Sequence, residues 1–266
     1  MSATVQCGVA LVIRRAPFGD PMTDTTATPE LAPLPGVFAR FIGIITSPKA
    51  TFEAVVRNPR WVGMLMLICV LSGANQFALT STERSRQAML EMQVKQMEKM
   101  GVTVTDDMYA RMQTQQTSPI ARVFALVGVF IFFPLFLIFL PAAIFYAVFN
   151  AIMGGTAQFS QIVAVLTHSW VVLTIAGFLT TGMALASGTV QTSVANLGVL
   201  LPMLTEGSFA ANLAGSIDLF RVWFVIVLAM GLGVLYKRKT ANIAMGLFTV
   251  YAILAVCFSY FTRAKG

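Results

Sequence analysis

Three residues could do chemistry inside the apolar part of this sequence: His168, Asp218 and Arg221. Asp218 and Arg221 are one helical turn apart, so their side chains can form an ion pair on one face. His168 is the single histidine of the chain, and an imidazole among apolar residues can hydrogen-bond to a neighbouring helix. Ionisable groups at membrane depth are costly and often functional. We expect structural contacts for all three; the alternative is a transport or proton pathway that joins His168 and Asp218.

Catalytic and metal sites require combinations of residues, at defined spacings, that the sequence does not contain. A serine hydrolase would have to use Ser187 and His168, which on one continuous helix lie about 28 Å apart along the axis. One histidine excludes the paired-histidine zinc motifs. The cysteines are too far apart for a metal or redox motif; they are Cys7, Cys69 and Cys257. We therefore predict a protein that is not an enzyme and that has no cofactor and no metal site.

The composition indicates a membrane protein. Charged residues make up 11% of the chain and hydrophobic residues 57%, whereas soluble domains are about 25% charged. The formal net charge is +7, but Lys and Arg lie mainly beside the apolar runs, as topology and headgroup signals do. We therefore expect membrane lipids, and not nucleic acid, as partners.

Five apolar runs are long enough to cross a bilayer as helices. They cover residues 61–79, 123–149, 162–185, 217–236 and 243–261. In the fourth run, Gly231 and Gly233 lack side chains that would keep a neighbouring helix away. The sequence predicts an all-α membrane protein with five transmembrane helices, a polar helical loop at 80–122 and a short tail at 262–266.

The second apolar run contains two prolines, Pro134 and Pro141. Each proline lacks an N–H donor, so the carbonyls of Phe130 and Leu137 lose their helical partners. Freed carbonyls need protein or water beside them rather than lipid. Because a spacing of seven residues places both prolines nearly on one face, we predict two helix kinks and a face turned toward the spans that carry His168 or Asp218.

The segment before the first run has two parts. Residues 1–35 are rich in Thr, Pro and Ala and are predicted to be a disordered lead, with Met22 as a possible true start. Residues 36–60 are predicted to form two short amphipathic helices that meet at Ser47 and Pro48. Basic residues flank the apolar faces, which is typical of helices that lie in the headgroup layer. The residues expected to contact that layer are Arg40, Lys49, Arg57, Arg60 and Trp61.

The basic turn after the fourth run sets the expected orientation. Its residues are Lys237, Arg238 and Lys239. Short basic loops stay on the cytoplasmic side, so five spans place the N-terminus inside and the C-terminus outside. The 80–122 loop also carries Lys and Arg and would then lie outside, which weakens the rule here.

Four sequence segments occur in one order. SPKATFEAVVRNPRW precedes the first run, GGTAQFSQIVAVLTHSW opens the third, NLGVLL follows it, and IDLFRVWFVIVLAMGLGVLYKRK covers the fourth run and the basic turn. Together they resemble the Yip1 family, in particular its five-span bacterial members, over roughly Phe38 to Phe261. The eukaryotic members are associated with vesicle trafficking and prenylated GTPases, but their DLYGP and GTPIG signatures are absent here.

The resemblance implies an integral protein of a bacterial cytoplasmic membrane that organises the membrane or partner proteins without catalysis. A protein partner or a second copy would pack against the membrane bundle. The alternative is a small transporter or the membrane subunit of one, in which the kinked second span, His168 and the pair of Asp218 and Arg221 would line a pathway.

Overall fold

The computed structural model describes residues 35–188, 193, 195–201, 203–205 and 207–262. Within these ranges the chain is helical, and its one sheet-like contact is an isolated bridge between Asn196 and Asp218. The predicted lead at 1–35, including the possible start at Met22, lies outside the described residues except for Pro35. Of the predicted tail, only Thr262 is described.

In the part of the chain that the structure describes, five helices are long and apolar enough to cross a membrane, which confirms the predicted all-α fold with five spans. They are span 1 (Val62–Leu79), span 2 (Pro119–Ile152), span 3 (Phe159–Ser187), span 4 (Leu219–Tyr236) and span 5 (Thr240–Phe261). Span 2 has 34 residues and would be about 51 Å long if straight. Because the hydrocarbon core is about 30 Å thick, span 2 must tilt or extend beyond it.

Shorter helices precede and connect the spans. Two precede span 1: α1 (Val37–Thr46) and α2 (Pro48–Arg57). The polar loop between spans 1 and 2 contains Glu83–Lys99 and Asp106–Thr117. Thr82 and Thr105 cap these two helices by accepting hydrogen bonds from backbone N–H groups. The connection between spans 3 and 4 contains Leu197–Leu200 and Phe209–Ser216.

Span 3 is the central helix of the bundle. Of its most apolar stretch 61% is buried, against 12% in span 2 and 11% in span 5. Every residue from 162 to 169 is buried. Its helix is interrupted at Trp170, which divides it into Phe159–Ser169 and Val171–Ser187. Side chains that project from its first half are therefore surrounded by protein rather than by lipid.

The helices α1 and α2 pack against this bundle. Ile44, Phe52 and Val55 are fully buried or nearly so, and the ring of Phe52 lies beside Gly231 of span 4. The amide of Gln161 at the start of span 3 donates to the carbonyl of Val56 at 3.0 Å. The inner faces of α1 and α2 are therefore part of the protein core, while Phe38 on the outer face of α1 is 72% exposed.

Span 2 departs from regular α-helix. Three of its segments are π-helical, namely Gly128–Phe132, Pro134–Phe139 and Ala147–Ile152. Pro134 is buried and Pro141 is half-buried. The indole N–H of Trp170 in span 3 donates to the carbonyl of Leu137 at 3.2 Å. The proline face therefore lies against span 3, as the sequence predicts, and the carbonyl that Pro141 leaves free has a protein donor.

The end of span 3 contacts the polar loop. Gly188 ends the helix with a left-handed backbone, at a φ of 73°. The guanidinium of Arg84 donates to the carbonyl of Ser187 at 2.8 Å. A cation at a helix C-terminus is favourable because the helix dipole is negative there. Arg84 thus joins the polar loop to span 3.

Gly188→Ala is expected to lower the free energy of unfolding by about 2 kcal/mol. An L-residue in the left-handed region costs about 1 kcal/mol, and the new Cβ would lie 1.7 Å from Nε of Arg84, so Arg84 must also move. The matched control is Gly154→Ala, because Gly154 has a φ of 70° and no atom near its added Cβ. Equilibrium unfolding in mixed detergent micelles measures both, and equal losses would show that the Arg84 contact contributes nothing.

Candidate functional site

The basic side chain of Arg40 and the imidazole of His168 meet inside the bundle. Nη1 of Arg40 donates to the backbone carbonyl of Arg60 at 2.9 Å and lies 3.5 Å from Nε2 of His168. Arg40 is 7% exposed and His168 is fully buried. Three elements therefore meet here: α1, the residues just before span 1, and the first half of span 3.

The sequence places Arg40 on a flank of α1, but its side chain points into the bundle instead. Arg40 lies three residues after Val37 and four before Ile44, so it belongs to the stripe that faces the bundle. Ile44 is fully buried on that stripe. The other predicted interface residues differ, since Lys49, Arg57 and Arg60 are exposed. Trp61 is half-buried, with its ring edge-on to Phe139 at 5.6 Å.

The hydrogen bonds of His168 define which of its nitrogens carries the proton. Nδ1 lies 2.7 Å from the carbonyl of Ala164, which can only accept, so Nδ1 must be the N–H donor. In a neutral imidazole Nε2 is then an acceptor, and it faces the N–H of Arg40. A second proton on Nε2 would point at a guanidinium and be repelled. The arrangement is that of a neutral histidine in a structural contact between helices.

Arg40 is a buried cation without an acidic partner among the described residues. Among the described residues, one ion pair is found, and it joins Arg86 to Glu83 in the polar loop. Nε of Arg40 is buried and has no hydrogen-bond partner in the described residues. Burial lowers the pKa of Arg40, and the nearby charge of Arg60 lowers it further. An arginine side chain nevertheless stays protonated in proteins, so the positive charge remains.

Asp218 does not form the predicted ion pair with Arg221. Its backbone is extended rather than helical, and Oδ1 accepts from the backbone N–H of Arg221 at 2.9 Å. Asp218 is therefore the N-cap of span 4, and the side chain of Arg221 is exposed. The spacing of three residues predicts an ion pair only if both residues lie inside the helix, and Asp218 lies before it. Oδ2 of Asp218 is buried without a partner among the described residues, and Asp218 itself is 3% exposed.

No described contact joins His168 to Asp218. Asp218 lies where span 4 begins, next to Asn196. His168 contacts Arg40 instead, and Arg40 donates to the carbonyl of Arg60 just before span 1. Because spans 1 and 4 begin at opposite ends of the bundle, the two groups are held at different levels. The predicted pathway through both residues is not built by these contacts.

One end of the bundle carries an excess of exposed cations, which we call the basic end. Because the spans alternate in direction, residues 35–61, 153–158 and 237–239 all lie at this end. Its exposed cations are Lys49, Arg57, Arg60, Lys237, Arg238 and Lys239. Glu53 is the one acid in these three ranges. The opposite end, which includes residues 80–118, carries Glu and Asp beside its Lys and Arg.

A polar contact between spans 2 and 4 was not predicted from the sequence. The hydroxyl of Tyr236 donates to Oδ1 of Asn150 at 2.9 Å, and Nδ2 of Asn150 donates to the carbonyl of Ala157 at 2.6 Å. The ring of Tyr236 stacks on Phe149 at 4.7 Å. The signal that could have indicated it is an asparagine at the end of an apolar run. These bonds hold spans 2 and 4 together at the basic end.

A separate cavity of about 250 Å³ lies between span 1, the polar loop and the start of span 2. Its apolar lining includes Phe77, Met89 and Met112, and its polar lining includes the amides of Gln76 and Gln93. Part of the helix Glu83–Lys99 therefore faces this cavity. Among the residues whose side chains are described, no charged one lines it.

The sequence was compared with protein families, curated proteins and solved structures. The family model of the Yip1 domain matches residues 42–261. That range includes all five spans, α2 and the second half of α1; His168 lies inside it and Arg40 lies just before it. No curated protein and no solved structure matches the chain.

Proposed function

The chain belongs to the Yip1 family of integral membrane proteins, and from that premise we propose that it organises the membrane or partner membrane proteins through contacts, without catalysis. The basic end is the observation that carries this proposal. Its six exposed cations face outward, and each Lys or Arg near an anionic surface contributes about 1 kcal/mol of attraction. Anionic lipid or the acidic surface of a partner is the chemistry that fits such an end.

The basic end also supports an orientation. The turn at Lys237, Arg238 and Lys239 is exposed and joins two spans directly, and short basic loops remain cytoplasmic. On this basis the N-terminus lies inside and the C-terminus outside. The membrane is the cytoplasmic membrane of a bacterium, in line with the five-span members that the sequence resembles.

The outward faces of spans 2 and 5 supply the second contact surface. Ile131, Phe132 and Phe136 of span 2 are all more than half exposed in the single chain. In a membrane these side chains contact lipid or the helices of another protein, and close packing of apolar side chains drives helix association there. A partner protein or a second copy would bind on these faces.

The double substitution Lys49→Gln and Arg57→Gln is expected to reduce bound anionic lipid and bound protein partners several-fold. Both side chains are exposed on α2, so their loss removes charge from the basic end without disturbing the core. The protein would be purified in mild detergent, and the lipids and proteins that accompany it measured by quantitative mass spectrometry. The matched control is Lys95→Gln with Arg111→Gln, two exposed cations of the polar loop.

The proposal is wrong if both double variants keep the same lipids and partners as the parent protein. It also fails if the protein moves solutes. The π-helical turns of span 2 favour that second candidate, because such turns often occur at functional sites. Reconstituted vesicles distinguish the two: a solute flux that Asp218→Asn abolishes would establish transport, and zero flux with either protein agrees with an organising role.

A further inference from the structure

The buried guanidinium of Arg40 lacks a counter-charge among the described residues. Buried charges in proteins are normally paired, because an unpaired charge in a medium of low dielectric constant is very unfavourable. The two groups that do bind Arg40, the carbonyl of Arg60 and Nε2 of His168, are neutral acceptors. They orient the guanidinium but do not balance its charge.

The free edge of Arg40 has the geometry of an anion receptor. Both described contacts involve Nη1. The opposite edge consists of Nε and Nη2, which together can donate two parallel hydrogen bonds to one oxyanion. Nε on that edge is buried and has no partner among the described residues. The neighbouring charge of Arg60 acts on Arg40 and adds to the positive potential there.

The bond to Arg60 places Arg40 at the level of the residues just before span 1. Its guanidinium is hydrogen-bonded to Arg60, which immediately precedes Trp61 and the start of span 1. Tryptophan at the start of a span is typical of the membrane interface. Span 3 begins before His168 and has 29 residues, or about 43 Å at helical rise. The hydrocarbon core is about 30 Å thick, so we expect the first turns of span 3, at the basic end, to extend beyond it. His168 can therefore face the start of span 1 at the interface.

We propose that Arg40, held by His168 and flanked by Arg60, binds one phosphoryl group at the junction of α1 with spans 1 and 3. The group is either the phosphate of an anionic phospholipid or a free phosphate compound. Guanidinium matches phosphate oxygens in a bidentate arrangement, and phosphate is the oxyanion most abundant at this depth. The neutral acceptor nitrogen of His168 holds Nη1, and Nε is left without a partner among the described residues.

The site extends the lipid contact proposed above from diffuse attraction to a single stoichiometric site, and it rests on the basic end facing lipid phosphates. The two can be separated by experiment. Lys49 and Arg57 contribute to the diffuse attraction and are exposed, whereas Arg40 is 7% exposed. Loss of the diffuse attraction therefore does not require loss of the single site at Arg40, and the reverse also holds.

The test uses the full chain, purified in detergent, stripped of lipid and titrated with dioleoyl phosphatidylglycerol under native mass spectrometry. One lipid is expected to bind tightly and saturably. Arg40→Gln should raise the dissociation constant of that site about tenfold, which corresponds to the loss of one charge-assisted hydrogen bond. Arg40→Lys should be intermediate, because lysine keeps the charge and loses the bidentate edge. Arg57→Gln, which removes an exposed cation, should leave the tight site unchanged.

Inorganic phosphate identifies the source of the phosphoryl group. Displacement of the tight lipid by millimolar phosphate assigns the site to free phosphate compounds, and no displacement assigns it to lipid. A wild-type titration without a saturable first site overturns the proposal and needs no variant to fold. Equal affinities for Arg40→Gln, Arg40→Lys and the parent would overturn it as well.

Discussion

Phe52→Ala is expected to detach α2 from the bundle and to lower the free energy of unfolding by about 3 kcal/mol. Phe52 is the largest of the fully buried side chains. Its ring lies beside Gly231 of span 4, and the side chain of Val165 in span 3 approaches the same glycine. Truncation leaves a cavity where α2 and these two spans meet, and lost packing is not replaced by any neighbour. Equilibrium unfolding in mixed detergent micelles measures the loss.

The control for this variant is Phe38→Ala. Phe38 is 72% exposed on the outer face of α1, so its truncation should change stability by less than about 0.5 kcal/mol. If the two variants lost equal stability, α2 would contribute no packing to the bundle, and the contact between Phe52 and span 4 would have no energetic meaning.

Gly231→Ala is expected to destabilise the fold by about 2 kcal/mol, because overpacked cores lose about 1–3 kcal/mol. The added Cβ would lie 2.6 Å from Cγ1 of Val165 and 2.9 Å from Cε1 of Phe52. Both neighbours are rigid core side chains, so span 4 would have to move away. The matched control is Gly246→Ala in span 5, where no atom lies within 4 Å of the added Cβ.

Equilibrium unfolding also tests whether contact with Phe52 causes the destabilisation by Gly231→Ala. In a Phe52→Leu background the smaller side chain leaves room, so Gly231→Ala should cost less there, and a double-mutant cycle would give a coupling energy above about 0.5 kcal/mol. Additive effects would show that Phe52 and Gly231 do not share a contact. A loss in Gly246→Ala equal to that in Gly231→Ala would point to glycine removal in general rather than to packing.

The spans were predictable because lipid imposes one requirement, a helix with about 20 apolar residues. The inward orientation of the proline face was also predictable, since a carbonyl without a helical donor cannot face lipid, and Trp170 donates to Leu137 accordingly. The role of Gly231 as a packing position followed from its missing side chain. In each case a single local rule decided the outcome.

Arg40 and Asp218 were not predictable in the same way. A basic residue on a short amphipathic helix normally faces headgroups, and only the contacts with Arg60 and His168 show that Arg40 faces inward. Asp218 is the N-cap because the helix begins one residue later, and helix boundaries are uncertain by one or two residues. For Arg40 the difference is the face of α1 from which the side chain projects. For Asp218 it is the residue at which the helix begins. Contacts with residues distant in sequence decide both.

The contact between Phe52 and Gly231 has a consequence for biogenesis. More than half of the chain separates the two residues, so α2 leaves the ribosome long before span 4 exists. At about 5–20 residues per second, roughly ten seconds or more pass between them. During this time the ring of Phe52 lacks the span 4 glycine beside which it packs, and the membrane interface is a surface that can cover it. We therefore expect α2 to contact lipid during synthesis, before insertion of span 4 completes its docking site.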